Sequence, residues 1–391
     1  MKRIFLIFAA VAALTFSQGC SVTRQNPSAA QSTAAFIAEE ADIVNPGARL
    51  FLEQVDYSDD PAYTRTEVTR QDYSSATDQP QPVRIEWEGK ATEVLFSSDP
   101  LFNGAKTLEA GDSPIEIYNL IPGERYYYKV LDGTRTVKQA SVTPVGPLRM
   151  IRAYDPSSGT SRHRIYNMRD IGGWKTADGR HIAYGKVYRG SNIDHIGDDP
   201  YAKDLFLNEL RISTDLDLRG YKESEYGCGP SIDELVYCKI PLRKNFEGGT
   251  GLTERLYKKA LRQIIGWLDE GRVVYFHCAA GADRTGTLAF LIEALLGVSE
   301  SDLSKDFEIT TFDKRDRRTR IPRESDPTHT IGLLIPYLRS GQFGDPATST
   351  INELVYNWAT SETQDDLETE YIAPLTAQEI ARLREHLLVK D

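Results

Sequence analysis

The sequence predicts an α/β domain, a parallel sheet with helices on both faces, preceded by a small all-β sandwich. Two observations carry this. From residue 149 onward, short apolar runs alternate with segments whose apolar residues recur at helical spacing, the pattern of a parallel sheet covered by helices. Between 81 and 148 every apolar run is short and bounded by Gly, Pro or Asp-Gly, as expected of strands and turns without helices. The chain's 391 residues exceed one usual domain, and at 40% hydrophobic it has enough apolar material to bury a sizeable core.

The first element is a leader. Lys2 and Arg3 precede a nearly unbroken apolar run from Ile4 to Phe16, which is shorter than the roughly 20 residues a spanning helix needs and reads as an export signal. Ser17-Gln18-Gly19-Cys20 follows. Small residues before a cysteine at this distance resemble a bacterial lipoprotein signal, which implies a protein lipid-anchored in the envelope through Cys20. Ordinary cleavage beside an incidental cysteine is the alternative. Lys and Arg total 46 against 57 Asp and Glu, a net charge of −11, so neither nucleic acid nor an acidic lipid surface is attracted by general electrostatics. Any membrane contact would come from the anchor, and any bound anion needs a local site.

Residues 21–80, rich in Ser, Thr, Gln, Ala and Asp, read as a tether holding at most a short helix or strand. Strands of the sandwich follow at Val83–Trp87, Thr92–Phe96, Ile115–Leu120 and Tyr126–Val130, with a hairpin at Asp132-Gly133. The stretch from Leu120 to Val130, with Pro122-Gly123 and Tyr126, resembles the turn and strand of fibronectin type III domains. That likeness concerns fold alone. In 149–391, strands are expected at Ala183–Arg189, Ser213–Arg219, Leu235–Ile240 and Arg272–Phe276. Helices are expected at Asp199–Leu210, Thr253–Glu270 and Thr285–Leu296, and a helical extension from Ala347. Of the four cysteines, Cys228 and Cys238 either pair or stay free, which leaves Cys278 as a lone thiol in an exported chain.

Cys278 stands where a buried strand meets a helix, in His277-Cys278-Ala279-Ala280-Gly281-Ala282-Asp283-Arg284-Thr285-Gly286. Small residues leading straight into a helix N-terminus let the amides of Ala279, Ala280, Gly281 and Ala282 point at one anion. Arg284 can fold back with its planar fork. A thiol in such a cradle ionises readily, and a thiolate beneath a bound phosphate is poised for phosphoryl transfer through a cysteinyl-phosphate.

The decamer resembles the Cys-x5-Arg-Thr loop of the protein tyrosine phosphatase superfamily. Asn167-Met168-Arg169-Asp170-Ile171-Gly172-Gly173 and the Asp283-Arg284-Thr285-Gly286 ending narrow the likeness to bacterial tyrosine/lipid phosphatases of the N-F-R-D-L-G-G type. The resemblance implies Cys278 as nucleophile, Arg284 as phosphate ligand and Asp283 as general acid. It further implies that Thr285 bonds the sulfur, that His277 orients the loop, and that Arg169 and Asp170 line or brace the rim. Asp283 could instead hold Arg284 in place while Asp217 or Asp194 donates the proton, and Arg169-Asp170 could be a structural ion pair. Ala282 departs from the pattern, since lipid-active members usually carry Lys there, which turns the expectation from phosphoinositides toward phosphotyrosine. The implied substrate is a phosphorylated protein or small phosphomonoester, with no metal or cofactor. An inositol phosphatase, with Lys314–Arg320 as its basic wall, and a silent phosphate-binding module are the competing readings.

Overall fold

The computed structural model describes residues 36–53, 77–153, 165–194, 196, 199–220, 230–242, 251–312, 334–362 and 371–390. Cys20, Cys228, most of the tether and Lys314–Arg320 lie outside the described residues. Residues Phe36–Asp391 form one compact unit, and no described helix is long and apolar enough to cross a membrane.

The N-terminal part runs β1 (Ile37–Asp42), α1 (Pro46–Leu52), β2 (Val83–Ile85), β3 (Glu93–Ser97), β4 (Lys106–Glu109), β5 (Ile115–Ile117), β6 (Tyr126–Asp132) and β7 (Arg135–Val145). One sheet has the order β1-β7-β6-β3-β4, and β2 pairs with β5 in a second. Val83 and Ile85 share a core with Val94, Tyr128, Val130, Ala140 and Val142, so the two sheets face each other as a sandwich. Tyr126 is buried at the turn, where its hydroxyl accepts from the Ile121 amide and donates to Glu124.

The stretch expected to be tether folds in part. β1 pairs in parallel with β7, and α1 starts at Pro46 with the Asn45 side chain accepting from the amides of Gly47 and Ala48, a capped helix start. Phe51 packs edge-on against Phe312, and Lys305 donates to the Leu52 carbonyl at 3.0 Å. This helix therefore belongs to the core of the second part of the chain.

That part continues with β8 (Arg169–Asp170), β9 (His181–Ile182), β10 (Val187–Gly190), α2 (Pro200–Asp204) running into a π turn, β11 (Thr214–Asp217) and β12 (Val236–Lys239). After these come α3 (Gly251–Asp269), β13 (Val274–His277), α4 (Asp283–Leu296), α5 (Glu300–Glu308), α6 (Leu334–Leu338), α7 (Ile351–Thr360), α8 (Ala377–Leu387) and β14 (Leu388–Val389). The sheet order is β12-β11-β13-β10-β8. Its first four strands are parallel, but β8 pairs antiparallel with β10, so the expected parallel sheet carries one antiparallel edge. Alternation along β13 splits the core in two. Val274 and Phe276 face the layer of α3, α4, α7 and α8, and Tyr275 faces Phe206, Leu210 and Ile212 on the other side. The segment expected as a strand from Ala183 starts only at Val187, because Gly185 takes φ +75°.

Candidate active site

The parallel strands β10, β11 and β13 end side by side, and the residues just past them build the site. Cys278 leaves β13 and is 2% exposed. An anion cradle needs its amides inward, so its carbonyls must be satisfied from outside. The ring Nδ1 of His277 lies 3.1 Å from the Cys278 carbonyl. Asn192 sends its amide and its side-chain Nδ2 to the Ala279 carbonyl, the latter at 3.0 Å. The Gly281 carbonyl accepts from Asn167 Nδ2 at 2.8 Å and from Arg189 Nη2 at 3.0 Å. Gly281 has φ +70°, and a Cβ there would fall 2.5 Å from the backbone carbon of Gly190. At the start of α4 the N-cap residue is Ala282, with no side-chain hydrogen bond to the first turn. A Ser or Asp there would compete for the amides that alanine leaves to an anion.

Burial opposes ionisation of the Cys278 thiol, but the Arg284 guanidinium and the hydroxyl and amide of Thr285 outweigh it and lower the thiol below its ordinary range. Arg284 and Thr285 are both buried. For His277, burial favours the neutral ring, yet the charge of Asp215, 3.0 Å from Nε2, prevails and raises it. His277 is thus held between a carboxylate and the loop carbonyl. Burial, first of several causes, pushes the Tyr257 hydroxyl up, and Arg284, Cys278 and Asp283 all act on it, which places this α3 residue beside the site.

Arg169 and Asp170 are both buried, so neither lines the rim: Arg169 braces the loop from below through Asn167, and the alternative of an ion pair between the two is not what the structure shows. Successive strand residues point to opposite faces, so each finds its own partner. Arg169 bonds Asp306 through Nε at 2.9 Å and Nη2 at 3.2 Å, and Asn167 Oδ1 through Nη1. Asp170 pairs with Arg149 at 3.2 Å and accepts from the amides of Gly172 and Gly185. Asp306 also takes Arg189 Nη1 at 2.5 Å, so one carboxylate of α5 seats both arginines under the Gly281 turn. Glu293 completes this cluster. Burial, then the charge of Asp306, push its carboxyl well above the usual range.

Both alternative acids are paired with Arg219. Arg219 clamps Asp217 through Nε at 2.9 Å and Asp194 through Nη2 at 2.8 Å. Despite the opposing effect of burial, Arg219 and His277 hold the Asp217 carboxyl far below the usual carboxylate range. A carboxylate held ionised has no proton to donate. Asp283 is half-buried in the first turn of α4, five positions after the sulfur. Cys238 is a free thiol. The roles of Asn167, Arg189, Asn192, Asp215, Tyr257 and Glu293 were not legible as site functions in the sequence. Asn167 was visible only as part of a motif, and Arg189 only as the end of an expected strand.

A thiol lowered below its ordinary range over a helix start, with its loop carbonyls tied outward, makes a candidate anion site at the C-terminal ends of a mainly parallel sheet. Residues 161–389 match the tyrosine phosphatase family, and the chain belongs to that family. A Cupriavidus necator protein named as a tyrosine-protein phosphatase is 26% identical over 166 residues, 37% of this chain. The chain spans 59% of that relative's length. Among solved structures, the core catalytic domain of the S. cerevisiae PP-IP phosphatase SIW14, in complex with citrate, is 18% identical with a TM-score of 0.26, over 35% of this chain and 78% of that one. P. aeruginosa TpbA is 14% identical with a TM-score of 0.25, over 34% and 78%. A Cys-to-Ser variant of TpbA in complex with phosphotyrosine gives 14% and 0.26, over 36% and 80%.

Proposed function

We propose that this chain hydrolyses phosphomonoesters, phosphotyrosine before phosphoinositides, through a cysteinyl-phosphate. The observation that carries the reading is the thiol of Cys278, lowered by Arg284 and Thr285 inside a loop whose Cys278, Ala279 and Gly281 carbonyls are engaged away from it. In the first step the sulfur attacks phosphorus, the bond to the ester oxygen breaks, and Asp283 protonates the leaving oxygen. In the second, water attacks the phosphorus, Asp283 takes its proton, and the sulfur–phosphorus bond breaks to restore the thiolate. Arg284 and the amides from Ala279 to Ala282 hold the phosphoryl oxygens throughout. Thr285 stabilises the sulfur as it leaves. Ala282, buried at the helix start, gives the loop no second cation for a polyanionic headgroup, which supports the phosphotyrosine preference.

Two further parts belong to this proposal. The N-terminal sandwich is read as fibronectin type III-like, supported by the Tyr126 corner. The chain is read as an exported lipoprotein anchored through Cys20, supported by its leader. The test of function is a panel of phosphopeptides, phosphoinositides and inositol phosphates presented to the protein without its leader. Phosphotyrosine peptides are expected to turn over fastest, and Cys278→Ser to abolish turnover while retaining binding. Near-normal rates in that variant would remove the cysteine mechanism.

A further inference from the structure

We propose that Asp78, on the segment leading into the N-terminal sandwich, is a positioning residue for the phosphate loop. The inference rests on reading the Cys278 loop as the phosphate site, and it concerns a residue outside the 161–389 span that matches the family. Asp78 and Asn167 are 6% and 3% exposed, and Asp78 Oδ2 accepts from the Asn167 amide at 3.1 Å. The other carboxylate oxygen accepts from Gln79 Nε2 at 3.0 Å.

Asn167 has φ +55°, a left-handed conformation that asparagine tolerates better than most residues with a Cβ, and the bond to Asp78 fixes its amide in that conformation. Its side chain is fully committed. Nδ2 donates to the Gly281 carbonyl at 2.8 Å and to Thr310 Oγ1 at 3.1 Å, and Oδ1 accepts from Arg169. Releasing the Asn167 backbone would swing that side chain away from Gly281. The Gly281 carbonyl would then be held by Arg189 Nη2 alone, and a peptide held by one bond instead of two can tilt its carbonyl dipole toward the sulfur and the phosphate where an amide belongs. Through this hydrogen bond the N-terminal segment helps hold the orientation of the catalytic loop.

The experiment compares native protein, Asp78→Ala and Asp78→Asn, all as otherwise full chains. The readouts are thermal melts, kcat and KM on an aryl phosphate, and the pH midpoint of Cys278 alkylation by iodoacetate. Asp78→Ala is expected to lower kcat/KM about tenfold and to raise the alkylation midpoint by about one pH unit, the loss from removing one charge-assisted hydrogen bond. Asp78→Asn keeps an acceptor oxygen and should recover most of both. A native midpoint and native kcat/KM in Asp78→Ala would overturn the inference, as would an Asp78→Asn no better than the alanine variant. Should Asp78→Ala fail to melt cooperatively, Asp78→Ser replaces it under the same criteria. A native protein without turnover would sink the proposed function, whereas the alkylation midpoints would still decide the role of Asp78.

Discussion

Asp306→Asn removes the carboxylate that pairs with two buried guanidiniums, those of Arg169 and Arg189. Taking one partner from a buried ion pair costs about 3–5 kcal/mol, because the remaining charge stays desolvated. The fold holds a substitute. Neither carboxyl oxygen of Glu293 has a hydrogen-bond partner among the described residues, and both arginines and Asp306 act on it. Burial and then the Asp306 charge keep its proton on. With the Asp306 charge gone, the two guanidiniums draw Glu293 into its ionised form, and it takes over as counter-ion. Asp306→Asn should therefore cost at least about 1 kcal/mol more on a Glu293→Gln background than on the native one. The linkage has a definite sign. A carboxyl whose folded pKa is raised contributes stability below its unfolded value of about 4.3 and loses it as pH rises toward the folded one. Glu293→Gln alone should therefore gain on the native protein by up to about 1.4 kcal/mol per pH unit while Glu293 keeps its proton. On the Asp306→Asn background that gain should disappear. Denaturant midpoints of the four proteins between pH 6 and 8 measure both effects. Costs that add within about 0.5 kcal/mol at every pH would refute this account of the cluster.

Two other substitutions test the site. Gly281→Ala places a Cβ 2.5 Å from the Gly190 backbone at φ +70°. It should cut kcat/KM by about 100-fold or more through loop displacement, whereas a loss within twofold in a folded variant would contradict the close approach. Asp283→Asn should slow aryl phosphates with poor leaving groups by about 100-fold or more and good ones far less. Asp217→Asn should leave the dependence on leaving group unchanged, and the reverse result would move the acid to Asp217.

What could be read along the chain was whatever sits close together in it. Cys278, Thr285 and Arg284 lie within one strand–loop–helix unit, so their spacing alone implied an anion cradle. The supports of that cradle come from far away. Asp306 is 137 residues from Arg169, and Asp78 is 89 residues from Asn167, and no local pattern marks such pairs. Neighbouring residues misled for the opposite reason, since Arg169 and Asp170 adjoin in sequence but face opposite sides of β8. β1 escaped notice because Ile-Ala-Glu-Glu-Ala-Asp forms an edge strand without a buried position, so its residues carry little apolar alternation. The segment Asp199–Leu210 was legible as helical from its leucines, but its division into α2 and a π turn leaves no such trace.

The docking of α1 bears on how this chain can be taken apart. Scissors set at residue 148, where the composition invites them, would carry off Phe51 and the Leu52 carbonyl. They would take from Phe312 its edge-on partner and leave Lys305, on the helix that seats both arginines, with one acceptor fewer. A fragment of the second part made to that recipe would be a wounded protein, and a better trimmed piece begins upstream of Ile37.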